Sequence, residues 1–221
     1  MFEPIDLGTF ERRTGIKANE ASVWGEADRI VSLRQLTERL DIRVMSDDYL
    51  GRLMSSVTLA GDSSCHPYAG CLIERYQIDP RMSKVGQTFV ERKKILALHE
   101  RFDRIFDGSG VLPGIANKGA YIILGRTAEG DRAIAHYLPP IVEHFKNRHL
   151  VLDGIHRFSY VAGAGTTIEI VKIEEPTAPF PCDPRKWTEV TAVDEKPPKE
   201  QRFFGLRPEL FRDLKHIGID G

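Results

Sequence analysis

The chain has little of what marks several protein classes. Cysteine is scarce: Cys65, Cys71 and Cys182 are the three in 221 residues. An odd number without closely spaced pairs lacks the ligand spacing of tetrahedral zinc sites. Reduced thiols and no structural metal are therefore expected, although Cys65, His66, Cys71 and Cys182 could together offer four soft ligands. No apolar run approaches a membrane span, and the Met1 end has neither a basic n-region nor an apolar h-region, so a cytoplasmic chain with no membrane partner is expected. Charge of one sign is missing too. With 31 basic and 32 acidic residues the net charge is −1, which argues against a chain that coats nucleic acid by bulk electrostatics. The glycine-rich stretches Asp107–Gly110 and Gly114–Gly119 lack the Gly-Lys-Ser/Thr of a Walker A loop, so an ordinary P-loop nucleotidase is not expected.

What is present is a globular composition, 41% hydrophobic and 29% charged, enough for one substantial core and a small second lobe. Met1 to about Glu20 shows no clear period and reads as a loosely attached arm. Ala27–Leu40 places Ile30, Leu33, Leu36 and Leu40 at helical spacing, and Asp47 and Asp48 favour a second helix through Leu50, Leu53, Met54 and Val57. Residues 1–66 thus read as a helical lobe, with only a faint helix-turn-helix character, because the turn is long and Arg52 is the sole strong contact residue. Cys71–Ile78 has strand character, and Phe89–Phe106 reads as the strongest helix, with Lys94 and Arg101 along one edge. Tyr121–Leu124 and Ala133–Tyr137 form a hairpin pattern, and Ile141–Phe145 pairs with the strand at Leu150, which places Glu143 and His144 on opposite faces. Residues 176–221 read as a proline-rich wrapping segment ending in a helix over Arg207–His216.

The most informative stretch is Leu150-Val-Leu-Asp-Gly-Ile-His-Arg157, read as strand, turn and the start of a short helix, with a strand over Thr166–Ile173 behind it. Helix-starting amides lack intrahelical acceptors and the dipole there is positive. An anion is thus favoured over the amides of Gly154, Ile155 and His156, and Arg157 adds a planar fork suited to phosphate oxygens. The plainer alternative makes Asp153 an N-cap, His156 a surface imidazole and Arg157 a partner for a carboxylate.

Asp153-Gly-Ile-His-Arg157 resembles the phosphate-binding motif, D-G-x-H-R, of the ParB/sulfiredoxin-like superfamily. Leu138-Pro-Pro-Ile-Val-Glu-His-Phe145 is similar to that family's Pro-Pro-Ile strand, and Glu91-Arg-Lys-Lys-Ile-Leu-Ala-Leu98 to its first helix. The resemblance covers about residues 70 to 175 and implies an α+β fold, a mixed sheet flanked by helices, with a core at 67–175. It further implies ATP or another nucleotide with Mg²⁺, bound by Gly154, Ile155, His156, Arg157, Lys94 and Arg101, with Asp153 and His156 in catalytic roles. Asp153 would accept a proton or hold Mg²⁺ through water. Ile155 stands where sulfiredoxins carry their reactive cysteine, which turns the expectation away from sulfinic-acid reduction. The implied activity is transfer or hydrolysis of a terminal phosphoryl group, as in a small-molecule kinase or NTPase, with an unidentified small-molecule or protein acceptor. The competing expectation is a ParB-like nuclease or a nucleotide-switched DNA-associated module.

Overall fold

The computed structural model describes residues 2–22, 25–97 and 119–220. The chain is α+β and divides into two compact units that are interleaved in sequence: Met1–Gly70, Gly119–Leu138 and Arg212–Gly221 make unit 1, and Cys71–Lys118 with Pro139–Phe211 make unit 2. These bounds differ from a division at 66 and 175, because strands from distant stretches complete each sheet.

Unit 1 is built on a five-stranded sheet. It contains β1 (Ile5–Asp6), β2 (Arg29–Ile30), β3 (Leu36–Val44), β8 (Tyr121–Thr127) and β9 (Arg132–Tyr137) in the order β1-β2-β9-β8-β3. The helical spacing over Ala27–Leu40 is therefore misleading. Residues 36–44 form an edge strand antiparallel to β8, and its register slips between Leu36 and Glu38 and again between Arg39 and Asp41. Two bulges destroy strict alternation, so the period of two that marks a strand is absent from the sequence. Gly125 of β8 takes part in this fit: a Cβ there would lie 2.4 Å from the Glu38 carbonyl oxygen. With β3 a strand, the first helix of the faint helix-turn-helix does not exist.

The first twenty residues are not a loose arm. They fold into β1, α1 (Leu7–Thr14) and α2 (Ala18–Ala21), and bury Phe2, Ile5, Phe10 and Ile16. Asp6 caps α1 by accepting from the Thr9 amide at 2.8 Å, and Gly15 closes it at φ 68°, so a weakly patterned helix is set by its ends. The helix expected after Asp47 is α3 (Asp47–Ser55), capped by Ser46, with Tyr49, Leu50, Leu53 and Met54 buried. The helix expected over Arg207–His216 is absent. Two 3-10 turns, Pro208–Leu210 and Leu214–Ile217, flank β14 (Arg212–Asp213), which pairs with β4 (Thr58–Leu59), and the Arg212 guanidinium sits over the Tyr68 ring at 5.9 Å.

Unit 2 holds a mixed five-stranded sheet ordered β5-β12-β10-β11-β6, with β5 (Ile73–Ile78), β6 (Lys84–Val85), β10 (Ile141–Phe145), β11 (Arg148–Val151) and β12 (Ile168–Glu174). The β10–β11 turn uses Lys146 and Asn147 at positive φ, 49° and 59°, the backbone of a tight hairpin matched to strand twist. Helix α4 (Ile155–Ala164) packs Phe158 and Val161 on Ile78, Val142, Val151, Ile168 and Ile170. The strong helix expected over Phe89–Phe106 begins later than its pattern suggests: Phe89–Glu91 is a strand, β7, residues 92–97 are helical, and the remainder lies outside the described residues. Strand β13 (Thr191–Val193) runs parallel to β7. Nearby Trp187 stacks on Phe158, 6.1 Å between centroids and 9° between planes, and donates its indole N–H to the Pro80 carbonyl at 3.0 Å. No helix among the described residues is long and apolar enough to cross a membrane.

Candidate functional site

The Asp153–Arg157 turn is anchored at the start of β10. The Leu152 amide donates to the Ile141 carbonyl at 2.9 Å, and the Ile141 amide donates to the Asp153 carbonyl at 3.3 Å. The chain then turns through Gly154 at φ 84°. A Cβ at this position would stand 2.7 Å from Pro140 Cβ and 3.0 Å from Arg157 Nη2. Positive φ and close approach both call for glycine. The N-cap of α4 is thus Gly154, which makes no side-chain cap bond, and the expectation that Asp153 caps the helix is corrected. Sitting one residue earlier, its carboxylate accepts from Arg157 Nη2 at 3.3 Å.

The Phe158 amide donates to the Gly154 carbonyl at 3.0 Å and opens the helical ladder, so the amides of Ile155, His156 and Arg157 precede it. Arg157 is 9% exposed, an uncommon depth for a guanidinium. His156, on the same first turn, accepts the Glu91 amide at Nε2 over 3.1 Å. A nitrogen that accepts cannot carry the proton, so this bond fixes a neutral imidazole with its hydrogen on Nδ1. Glu91 in turn places Oε1 2.7 Å from Lys94 Nζ. Burial pushes the Glu91 carboxyl up. The hydrogen bond and charge of Lys94, with the charge of Lys196, more than offset this and hold it below the usual range.

The turn therefore gathers Asp153, Gly154, His156 and Arg157, and His156 links it to Glu91 and Lys94. Arg101 lies outside the described residues. Glu91, which the motif does not include, joins the site through its amide bond to His156 and its pairing with Lys94, and its i,i+3 spacing to Lys94 was the local signal for it.

His144 does not belong to this turn. Its Nδ1 meets the Glu174 carboxylate, whose other oxygen meets Lys172, and its ring stacks on His149 at 4.4 Å. Glu143, on the opposite face, is fully buried. Among the described residues no group of three or more His, Cys, Asp or Glu is arranged to hold a metal ion, and the three cysteines are free thiols. No family model matches the chain, and no curated protein or solved structure matches it.

Proposed function

We propose that unit 2 binds a nucleoside triphosphate or diphosphate through the turn at Asp153–Arg157 and transfers or hydrolyses its terminal phosphoryl group. The observation that carries this is the buried Arg157 guanidinium on the first turn of α4, folded back over a glycine that no other residue can replace without a clash. Its fork and the amides of Ile155 and His156 would hold phosphate oxygens, with Lys94 adding charge from the neighbouring helical segment. Phosphoryl transfer asks a protein mainly for positioning and charge neutralisation, which such a turn can supply.

Asp153 is the one carboxylate at the turn. A single acidic side chain fits a hydrated Mg²⁺ that takes its remaining ligands from phosphates and water, and not an all-protein cage. Bound there, the ion would neutralise charge on the phosphoryl oxygens. Asp153 itself would take a proton from an acceptor hydroxyl or water. A DNA-associated role loses its main support with the strand at Leu36–Val44.

Thermal-shift titration with ATP, ADP, CTP and GTP, with and without Mg²⁺, tests the proposal, since a ligand that binds only the folded state raises the Tm by mass action. Arg157→Ala is expected to lower nucleotide affinity by about 1.5–3 kcal/mol. Equal affinity in a folded variant, or no shift of the parent protein with any nucleotide, would overturn it.

A further inference from the structure

We propose that unit 2 carries a second binding site, an apolar hollow with two cations on one wall, which takes a medium-chain fatty acid of about the size of octanoate. The site shares no residue with the Asp153–Arg157 turn and does not depend on the nucleotide reading.

The hollow has a volume of about 260 Å³ and is lined by Lys199, Arg202, Phe203, Leu206, Pro208 and Phe211. Its walls are held by the backbone. Phe203 forms a bridge with Gln87, the Thr88 amide donates to the Arg202 carbonyl at 2.9 Å, the Phe204 amide donates to the Gly86 carbonyl at 2.9 Å, and the Phe211 amide donates to the Pro208 carbonyl at 3.2 Å. The Phe203 and Phe211 rings meet edge to face at 4.9 Å. None of the four apolar lining residues is fully buried, and Leu206 is 36% exposed. A preformed apolar concavity with a few polar groups is the usual form of a small-molecule site, and a volume below roughly 300 Å³ calls for an occupant smaller than a drug.

The charges select the occupant. Lys199 opens a 3-10 turn and Arg202 follows three residues later, a spacing at which side chains eclipse, so two positive groups share one wall. Among the described residues no carboxylate pairs with either, and Arg202 gives its Nε to the Pro197 carbonyl at 2.8 Å, which leaves its outer nitrogens for an anion. Glu200 and Glu209, the acids of the same stretch, are exposed and do not line the hollow. Like charges at this spacing repel unless an anion joins them. A carboxylate offers one oxygen to each cation, while its hydrocarbon chain covers Phe203, Leu206 and Phe211. An inorganic anion would satisfy the cations and leave the apolar walls wet.

The test is NMR titration of the full chain with octanoate, octanol and acetate, read from the backbone amides of residues 199–211. Octanoate should shift them saturably with a Kd of about 0.1–1 mM, octanol should bind about three- to tenfold more weakly, and acetate should not bind in that range. Lys199→Gln combined with Arg202→Gln should bring octanoate down to the affinity of octanol. Leu206→Ser, at an exposed position where folding is not at stake, should weaken both ligands alike. Absence of a saturable octanoate shift at residues 199–211, equal binding of octanol and octanoate, or parental octanoate affinity in the folded double variant overturns the proposal. Tighter binding of a tripeptide ending in leucine than of octanoate overturns the fatty-acid assignment and gives the hollow to a peptide terminus.

Discussion

At the scale of single residues, Asp153 and His136 make contrasting predictions. Asp153 is the partner of a buried guanidinium and not a helix cap, so Asp153→Ala should cost stability by removing an acceptor from Arg157, about 1–3 kcal/mol by denaturant unfolding. Asp153→Asn keeps an acceptor oxygen and loses only the charge. It should stay near the parent Tm and bind nucleotide while turnover falls about a hundredfold; parental turnover would show that Asp153 serves the pair alone. In unit 1, His136 lies fully buried, with Tyr49 Oη 2.9 Å from its Nε2 and the Phe10 ring 5.5 Å away. Burial pushes its pKa down to about 4. The unfolded chain then takes up a proton that the folded chain refuses, so stability is full above about pH 6.5 and is lost as pH falls towards 4, by roughly 3 kcal/mol at the lower end. Burial lowers His216, and burial with the charges of His144 and Lys172 lowers His149, both in the same sense. Unfolding midpoints at pH 7 and pH 4.5 should therefore converge substantially, though not fully, in His136→Gln. The role of Asp153 could not be read from sequence. Ser, Asp or Asn before a helix reads as a cap, and only the backbone shows that a positive-φ glycine takes that position.

At the scale of elements, legibility followed how far each segment depends on itself. The β10–β11 hairpin and α4 carry their own signals, a turn at Lys146–Asn147 and an apolar face at Phe158 and Val161, and both are present. Strand β3 depends on β8 for its register and has two slips, so its apolar residues fall by chance at helical spacing. The proline-interrupted stretch at Arg207–His216 likewise mimics a helix but is drawn out by the pairing of β14 with β4. The turn into α4 provides an element-level test. Gly154→Ala must strain φ and push a Cβ onto Pro140, which should cost about 1–3 kcal/mol in chemical denaturation and weaken nucleotide binding together with stability. Gly163, on the same helix with open space around its Cβ position, is the control: Gly163→Ala should be neutral or stabilising by up to about 1 kcal/mol. Equal responses at the two positions would show that the turn tolerates a side chain.

At the scale of the molecule, neither unit is a continuous stretch, which no local pattern reveals. Residues 1–70 lack β8 and β9, which stand between β2 and β3 in the sheet. A fragment of residues 1–70 should therefore show poor amide dispersion by NMR; a well-dispersed spectrum would mean that α1 and α3 hold the lobe without its sheet. Ending the chain at Phe211 removes β14 and the buried Arg212, and the Tm should drop by about 2–4 °C for each kcal/mol lost. The same interleaving bears on synthesis, which proceeds from the amino end. Strand β4 emerges early and waits for β14, while unit 2 is translated almost entirely in between. On a ribosome, then, the five-stranded sheet of unit 1 can close once β9 has emerged, whereas β4 stays unpaired until Arg212 and Asp213 arrive. A nascent chain arrested before that point should expose the edge of β4 to chaperones and proteases, so the pairing of β14 with β4 is expected to be among the last steps of folding.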